Sequence, residues 1–178
     1  MNTPSSRQRG FTLIEAGAVI AIGAVLAAGA LPGMQDLVAA RRFDNAATQL
    51  AADIHLTRSA AVVRNQALRL SFRPRPGGSC YVIHTGAANA CECGSSGPAV
   101  CEGGAREIKT VALADADNVS VQANVASLLF DPVHGTSTPT GTLRVLGSNQ
   151  REVRHIVNIM GRARSCSPAP VVPGYRAC

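Results

Sequence analysis

The chain has 178 residues, a formal net charge of +6 and an aromatic content of only 3%. That length fits one domain with an accessory element, and a core so poor in aromatics must rest on Val, Leu, Ile and Ala. The same scarcity argues against an aromatic stacking platform for single-stranded nucleic acid.

The averages hide a strong polarity along the chain. The first ten residues are polar and basic, with Arg7 and Arg9. The next 24, Phe11 to Met34, hold one ionisable side chain, Glu15. As a helix they would be about 36 Å long at 1.5 Å per residue, enough for a hydrocarbon core of about 30 Å. The basic leader would stay cytoplasmic and the remainder would lie outside. An ordinary secretory signal places its cleavage site after the apolar run. Here the plausible cut, after Gly10, comes before it, so the processed protein would keep its anchor. Gly17, Gly23, Gly29 and Gly33 give that helix a slim surface suited to close packing, and Pro32 is expected to kink it. A carboxylate within a membrane helix is costly and needs a partner. A new amine on Phe11 of a neighbouring subunit would supply one for Glu15 and fix axial register. The expected organisation is a cleaved leader at 1–10, a hydrophobic transmembrane and filament-core helix at 11–35, and an exported globular domain at 36–178.

Beyond the anchor, residues 36–65 lack Pro and Gly, so the helix is expected to continue and to end between Arg64 and Ala67. Leu50, Ile54, Thr57 and Ala61 form one stripe at spacings of four, three and four, the face for a sheet. Arg41, Arg42, Asp44, Arg58 and Arg64 are expected mostly to face water. Leu68, Leu70 and Phe72 alternate with Arg69 and Ser71, a strand signature. A turn over Pro74–Ser79 leads to a second strand, Cys80–Thr85. Further strands are expected at Glu107–Leu113, Val119–Gln122, Leu128–Phe130, Thr142–Leu146 and Val153–Met160. Residues 89–104 are expected to form a disulfide-tied loop outside the core, and 167–174 an irregular tail. The fold class is α+β: a long N-terminal helix (membrane part plus amphipathic part) packed on an antiparallel, possibly two-sheeted β-domain.

Six cysteines, Cys80, Cys91, Cys93, Cys101, Cys166 and Cys178, all follow the export element. An even number in an oxidising compartment points to disulfides. Cys166 and Cys178 would close a C-terminal loop, and the other four two local bridges of open connectivity. A zinc site in the first four is the weaker alternative, because no knuckle spacing is present and no histidine joins them. No metal or cofactor is expected. Histidines at 55, 84, 134 and 155 form no nucleophile elbow or metalloprotease pair, and the glycines between 77 and 104 lack a phosphate-loop ending. The chain does not read as an enzyme.

Arg9-Gly10-Phe11-Thr12-Leu13-Ile14-Glu15 strongly resembles the class III signal of type IV pilins and type II secretion pseudopilins. The resemblance implies a type IV pilin-like fold, cleavage by a prepilin peptidase between Gly10 and Phe11, methylation of the Phe11 amine, and Glu15 as the family's assembly acid. Residues 56–66, Phe130-Asp131-Pro132 with Gly135, and Gly161-Arg162 before Cys166 are similar to the GspH/FimT group of minor pilins and pseudopilins.

The strongest functional patch lies at the far end. From Arg144 to Cys178 there are six arginines, Arg144, Arg151, Arg154, Arg162, Arg164 and Arg176, against one acid, Glu152. If the chain stays extended, Arg162 and Arg164 point to one face, and Arg154 and Asn158 share that parity. Guanidinium forks suit phosphate oxygens and bind largely without regard to sequence. Gly161-Arg162-Ala163-Arg164 also resembles the Gly-Arg-x-Arg motif of FimT-like minor pilins, which implies capture of double-stranded DNA during uptake for natural transformation. The expected partners are other major and minor pilins or pseudopilins, the prepilin peptidase, the inner membrane before assembly, and duplex DNA. The competing expectations are a GspH-like pseudopilin of type II secretion and a minor pilin acting only in assembly.

Overall fold

The computed structural model describes residues 12–94 and 97–178, apart from the side chains of residues 29–33. The chain divides into two compact units, one ending at Val38 and one covering Ala39–Cys178.

Helix α1 runs from Leu13 to Val63. Thr12 caps it: its Oγ1 accepts the Glu15 N–H at 3.3 Å. Glu15 therefore sits at the third helical position of a Thr-x-x-Glu start, where an acid also favours the positive end of the helix dipole. That local role is independent of any pairing between subunits. Gly10 and Phe11 lie outside the described residues, as do the side chains at the expected Pro32 bend. Among the described residues, no helix is long and apolar enough to cross a membrane. At the other end, Gln66 N donates to Ala61 O and Asn65 N to Val62 O, with Asn65 at φ 46°. This is the left-handed cap that closes many helices, made here by Asn instead of Gly.

The unit 39–178 is built around the second half of α1. Phe43, Ala47, Leu50, Ile54, Thr57 and Ala61 are all buried. Their spacings keep them on one stripe. Two antiparallel sheets share the helix and a common core. The first contains β1 (Leu68–Arg75), β2 (Gly78–His84), β5 (Glu107–Ala114), β7 (Ser127–Phe130) and β8 (Ser137–Thr138), in the order β5-β2-β1-β7-β8. The second contains β6 (Ser120–Ala123), β9 (Gly141–Leu146), β10 (Glu152–Val157) and β11 (Ala163–Cys166), in the order β11-β10-β9-β6. Leu68, Leu70, Tyr81, Ile83, Leu128 and Phe130 from the first sheet meet Leu143, Val145, Val153 and Val157 from the second in one cluster.

Two expectations need correction. β1 runs through Pro74 to Arg75, pairing Arg75 with Gly78, so the turn is only Pro76–Gly77 and not Pro74–Ser79. Pro74 is accommodated because β1 outlasts its other neighbour: β7 pairs it only from Leu68 to Ser71. The described residues of 89–104 stay apart from the main core but are not merely loop, and they build a small buried cluster of their own. β3 (Cys91–Glu92) and β4 (Val100–Cys101) form a two-stranded ladder, and buried Cys91 packs with Cys80 and Val82 on the back of the first sheet. The polar side of β1 is therefore covered too, and Ser71 is buried. The connectivity left open in sequence is Cys80–Cys93 and Cys91–Cys101; Cys166 joins Cys178 as expected.

Two buried histidines carry no sequence signal. His84 bonds Ser71 Oγ at 2.7 Å through Nε2 and the Thr85 carbonyl at 2.8 Å through Nδ1. Burial first, then the Arg69 and Arg73 charges, hold its pKa below the usual value against the Thr85 bond. Both members of this Ser–His pair are fully buried, so it serves packing. His155 faces α1 from β10, with Ser165 Oγ at 2.9 Å from Nδ1. Burial pushes its pKa down to about 4; the Ala47 backbone opposes that shift and the His55 charge adds to it. The unfolded side chain takes up a proton near pH 6.5 and the folded one only near 4. Stability from this residue is thus complete above pH 6.5 and falls as pH drops toward 4, by about 3 kcal/mol in all. Urea unfolding of residues 39–178 across that window should show the loss. A His155→Leu variant should lack it.

Candidate nucleic-acid interface

The second sheet turns Val153, His155 and Val157 inward, so Glu152, Arg154 and Ile156 point outward from β10. Register then assembles the basic face. Arg144 on β9 lies opposite Arg154, and Arg164 on β11 lies opposite Ile156. Arg144 and Arg154 are thus cross-strand neighbours, with Arg164 diagonal to Arg154 on the same face.

The parity argument took the chain as extended through this stretch. Residues 154–164 are not one extended run. β10 stops at Val157, not Met160, and the chain reverses over Asn158–Arg162. Asn158 N donates to Arg162 O at 3.1 Å, Gly161 N to Asn158 O at 2.9 Å, and Arg162 N to Asn158 Oδ1 at 3.0 Å. Arg162 is the last residue of this turn, two positions before Arg164, and both are exposed. Neither has an acid partner among the described residues.

Arg144 and Arg154 differ. Both donate to Glu152: Arg144 through Nε (2.7 Å) and Nη2 (3.0 Å), Arg154 through Nε (2.7 Å). Hydrogen bonds from Arg144 first, then Arg154, hold the Glu152 pKa down at about 2. The clamp orients two guanidiniums and cancels one of their charges. Glu152→Gln should therefore release both toward phosphate, making the salt slope of duplex binding steeper by about 1 to 2. Fluorescence anisotropy at several salt concentrations checks this, and a shallower slope would contradict it.

Arg151 and Arg176 lie toward the opposite end of the sheet from the Arg162 turn. Arg151 closes the β9–β10 turn, its N–H on Ser148 O and its carbonyl accepting from Gly147. Arg176 is exposed beside β11's far end, where Ser167 N donates to its carbonyl. The turn and the Arg151 end are separated by the length of β10, roughly 20 Å at 3.3 Å per residue. Arg144, Arg154 and Arg164 thus form a strip on one sheet face, with the Glu152 clamp holding the first two, while Arg151, Arg162, Arg164 and Arg176 have no acid partner among the described residues.

Gly161 lies in the turn just before the arginine pair, in close approach to the protein's own backbone. Its φ is +68°, and a Cβ there would lie 2.2 Å from Gly135 O and 2.9 Å from Arg58 Nε. The residue is needed for close approach inside the protein. Arg58, expected to face water, donates from Nε to that same Gly135 carbonyl at 2.9 Å. The loop carrying Gly135 is shaped by Asp131, whose Oδ2 accepts the Val133 and His134 N–H groups at 2.9 and 2.7 Å. The three sequence patches around Arg58, Asp131–Gly135 and Gly161 therefore meet at one point.

Sequence reasoning also missed Asp53. It is buried on α1, accepting the Tyr81 hydroxyl at 2.8 Å and Lys109 Nζ at 2.6 Å. Burial first, then the Asp53 charge, raises the Tyr81 pKa. An acid on the helix stripe, three residues after Leu50, was the available signal.

Residues 46–161 match the family model described as type II transport protein GspH, and residues 5–31 match the prokaryotic N-terminal methylation motif. The GspH match ends at Gly161, before Arg162 and Arg164. The crystal structure of the type IV minor pilin FimU of Pseudomonas aeruginosa (strain PAO1) is similar, at 17% identity and a TM-score of 0.48, over 71% of this chain and 97% of that one. No curated protein matches the chain. The family match spans most of the globular unit, and the methylation motif coincides with the resemblance carried by Arg9 to Glu15; the chain belongs to the GspH family and is a pilin- or pseudopilin-type subunit.

Proposed function

We propose that this subunit is a minor pilin of a type IV pilus that binds extracellular double-stranded DNA, without sequence preference, during uptake for natural transformation. The observation that carries the reading is the pair of exposed guanidiniums at Arg162 and Arg164, without an acid partner among the described residues, with Arg164 on the sheet face that also carries Arg154 and Arg144. Such groups meet phosphate through charge-assisted forks, and a protein that neutralises phosphates releases counterions from the duplex. Arg151 and Arg176 are secondary contacts toward the other end of the strip.

In this reading a prepilin peptidase cuts between Gly10 and Phe11, and the Phe11 amine is methylated. The helix at 11–35 anchors the precursor in the inner membrane with the globular domain in the periplasm. Glu15 pairs with a neighbour's amine as the subunit joins other pilins in the filament, from which the arginine strip meets DNA at the cell surface.

Replacing both Arg162 and Arg164 with Ala in the fragment 39–178 should weaken duplex binding by at least about tenfold at low salt. Thermal unfolding should be unchanged, because neither side chain has an acid partner to lose among the described residues. Undiminished binding would reject the site. The second reading, a minor pseudopilin of type II secretion, is favoured by the GspH match itself, which covers 46–161 and does not depend on either arginine. It expects DNA affinity to be absent or indifferent to the double substitution.

A further inference from the structure

The tip of the β10–β11 hairpin is poorly anchored by burial. Ile159 is 63% exposed and Met160 58% exposed, so the turn that delivers Arg162 is not pinned by apolar packing. Arg162 and Arg164 also lack acids to hold them. Their position is set by backbone contacts made behind them. Ser137 N donates to Ile159 O at 2.9 Å, tying the turn to the start of β8. Gly161 then rests directly on the Arg58–Gly135 hydrogen bond, close enough to both partners that no side chain could intervene. Arg58 reaches this point from α1, 77 residues away in sequence, and α1 is the element both sheets pack against.

We infer that Arg58 is a positioning residue for the arginine hairpin, holding the Gly161 turn against the helix so that Arg162 and Arg164 are presented in a fixed geometry to phosphate. This rests on the DNA-binding reading. A pre-organised pair of guanidiniums binds more tightly than a mobile one because less motion is lost on contact. The role needs the planar guanidinium: Nε makes the bond, while Nε and Cδ form the surface that Gly161 lies on. A lysine at 58 would keep the charge and most of the stem but not that plate.

The test uses the full chain in detergent micelles and three variants: Arg58→Lys, Arg58→Ala and the Arg162→Ala, Arg164→Ala double. Two quantities are read: affinity for a duplex at about 50 mM salt, and hydrogen exchange of peptides covering 131–137 and 158–164 without DNA. Both Arg58 variants are expected to bind roughly tenfold more weakly. Both should also lose exchange protection in those two peptides, while the sheet peptides stay protected. Arg58→Lys tests the role even if Arg58→Ala fails to fold. Parent-like binding by Arg58→Lys would overturn the inference, since Arg58 would then act through charge alone. Unchanged exchange at 158–164 in Arg58→Lys would overturn it as well. If instead the double variant binds like the parent, the DNA reading fails by itself. The exchange data then decide alone whether Arg58 positions the turn.

Discussion

Gly161→Ala is expected to destabilise residues 39–178 by about 3 kcal/mol or more, the sum of a strained left-handed backbone and a forced displacement of packed groups. The obstruction is a carbonyl oxygen, Gly135 O, which lies 2.2 Å from where the methyl would sit and cannot swing aside as a side-chain end could. Either the turn lifts off α1 or the Arg58–Gly135 bond breaks. Gly174 provides the control. Its φ is +90°, yet nothing lies within 4 Å of a Cβ there, so Gly174→Ala should show only the backbone part, about 1 kcal/mol. Urea midpoints at constant m give both values. A Gly161→Ala loss no larger than that of Gly174→Ala would show that close approach is not what the glycine provides.

Asp53→Ala is the second large effect, expected at about 3 kcal/mol. The Tyr81 hydroxyl is buried and would lose its acceptor, while Lys109, about one-third exposed, would lose the only acid it pairs with among the described residues. Asp53→Asn keeps an acceptor for the tyrosine and should lose less. Equal losses for the two variants would mean that the charge, not the tyrosine bond, matters most. The network joins α1 to β2 and β5, so hydrogen exchange should increase first along that seam.

What could be read from sequence divides along physical lines. The stripe Leu50, Ile54, Thr57 and Ala61 was legible because a helix repeats its buried face locally, and all four are fully buried. The start of β1 was legible from period two. Its continuation through Pro74 was not, because tolerance of a proline depends on which neighbour strands are present. The β10–β11 turn was hidden by apolar Ile159 and Met160, which prolong the strand pattern although both are exposed. Asn158 and Gly161, each a turn former, bracketed it and could have marked it. The interface was half legible. Charge density picked out six arginines, but only pairing shows that Glu152 clamps Arg144 and Arg154 and leaves Arg162 and Arg164 free. The contact made by Arg58 could not be read from the 56–66 patch, since its partner is distant in sequence and is a backbone carbonyl.

The central claim is that Arg162 and Arg164 bind duplex DNA through phosphate, and its salt dependence tests that most directly. For fragment 39–178, the logarithm of the association constant plotted against the logarithm of salt concentration should fall with a slope of about −2 to −4, for two to four phosphates neutralised. The Arg162→Ala, Arg164→Ala variant should be shallower by about 2. A slope near zero, or one that the double substitution leaves unchanged, would contradict the account.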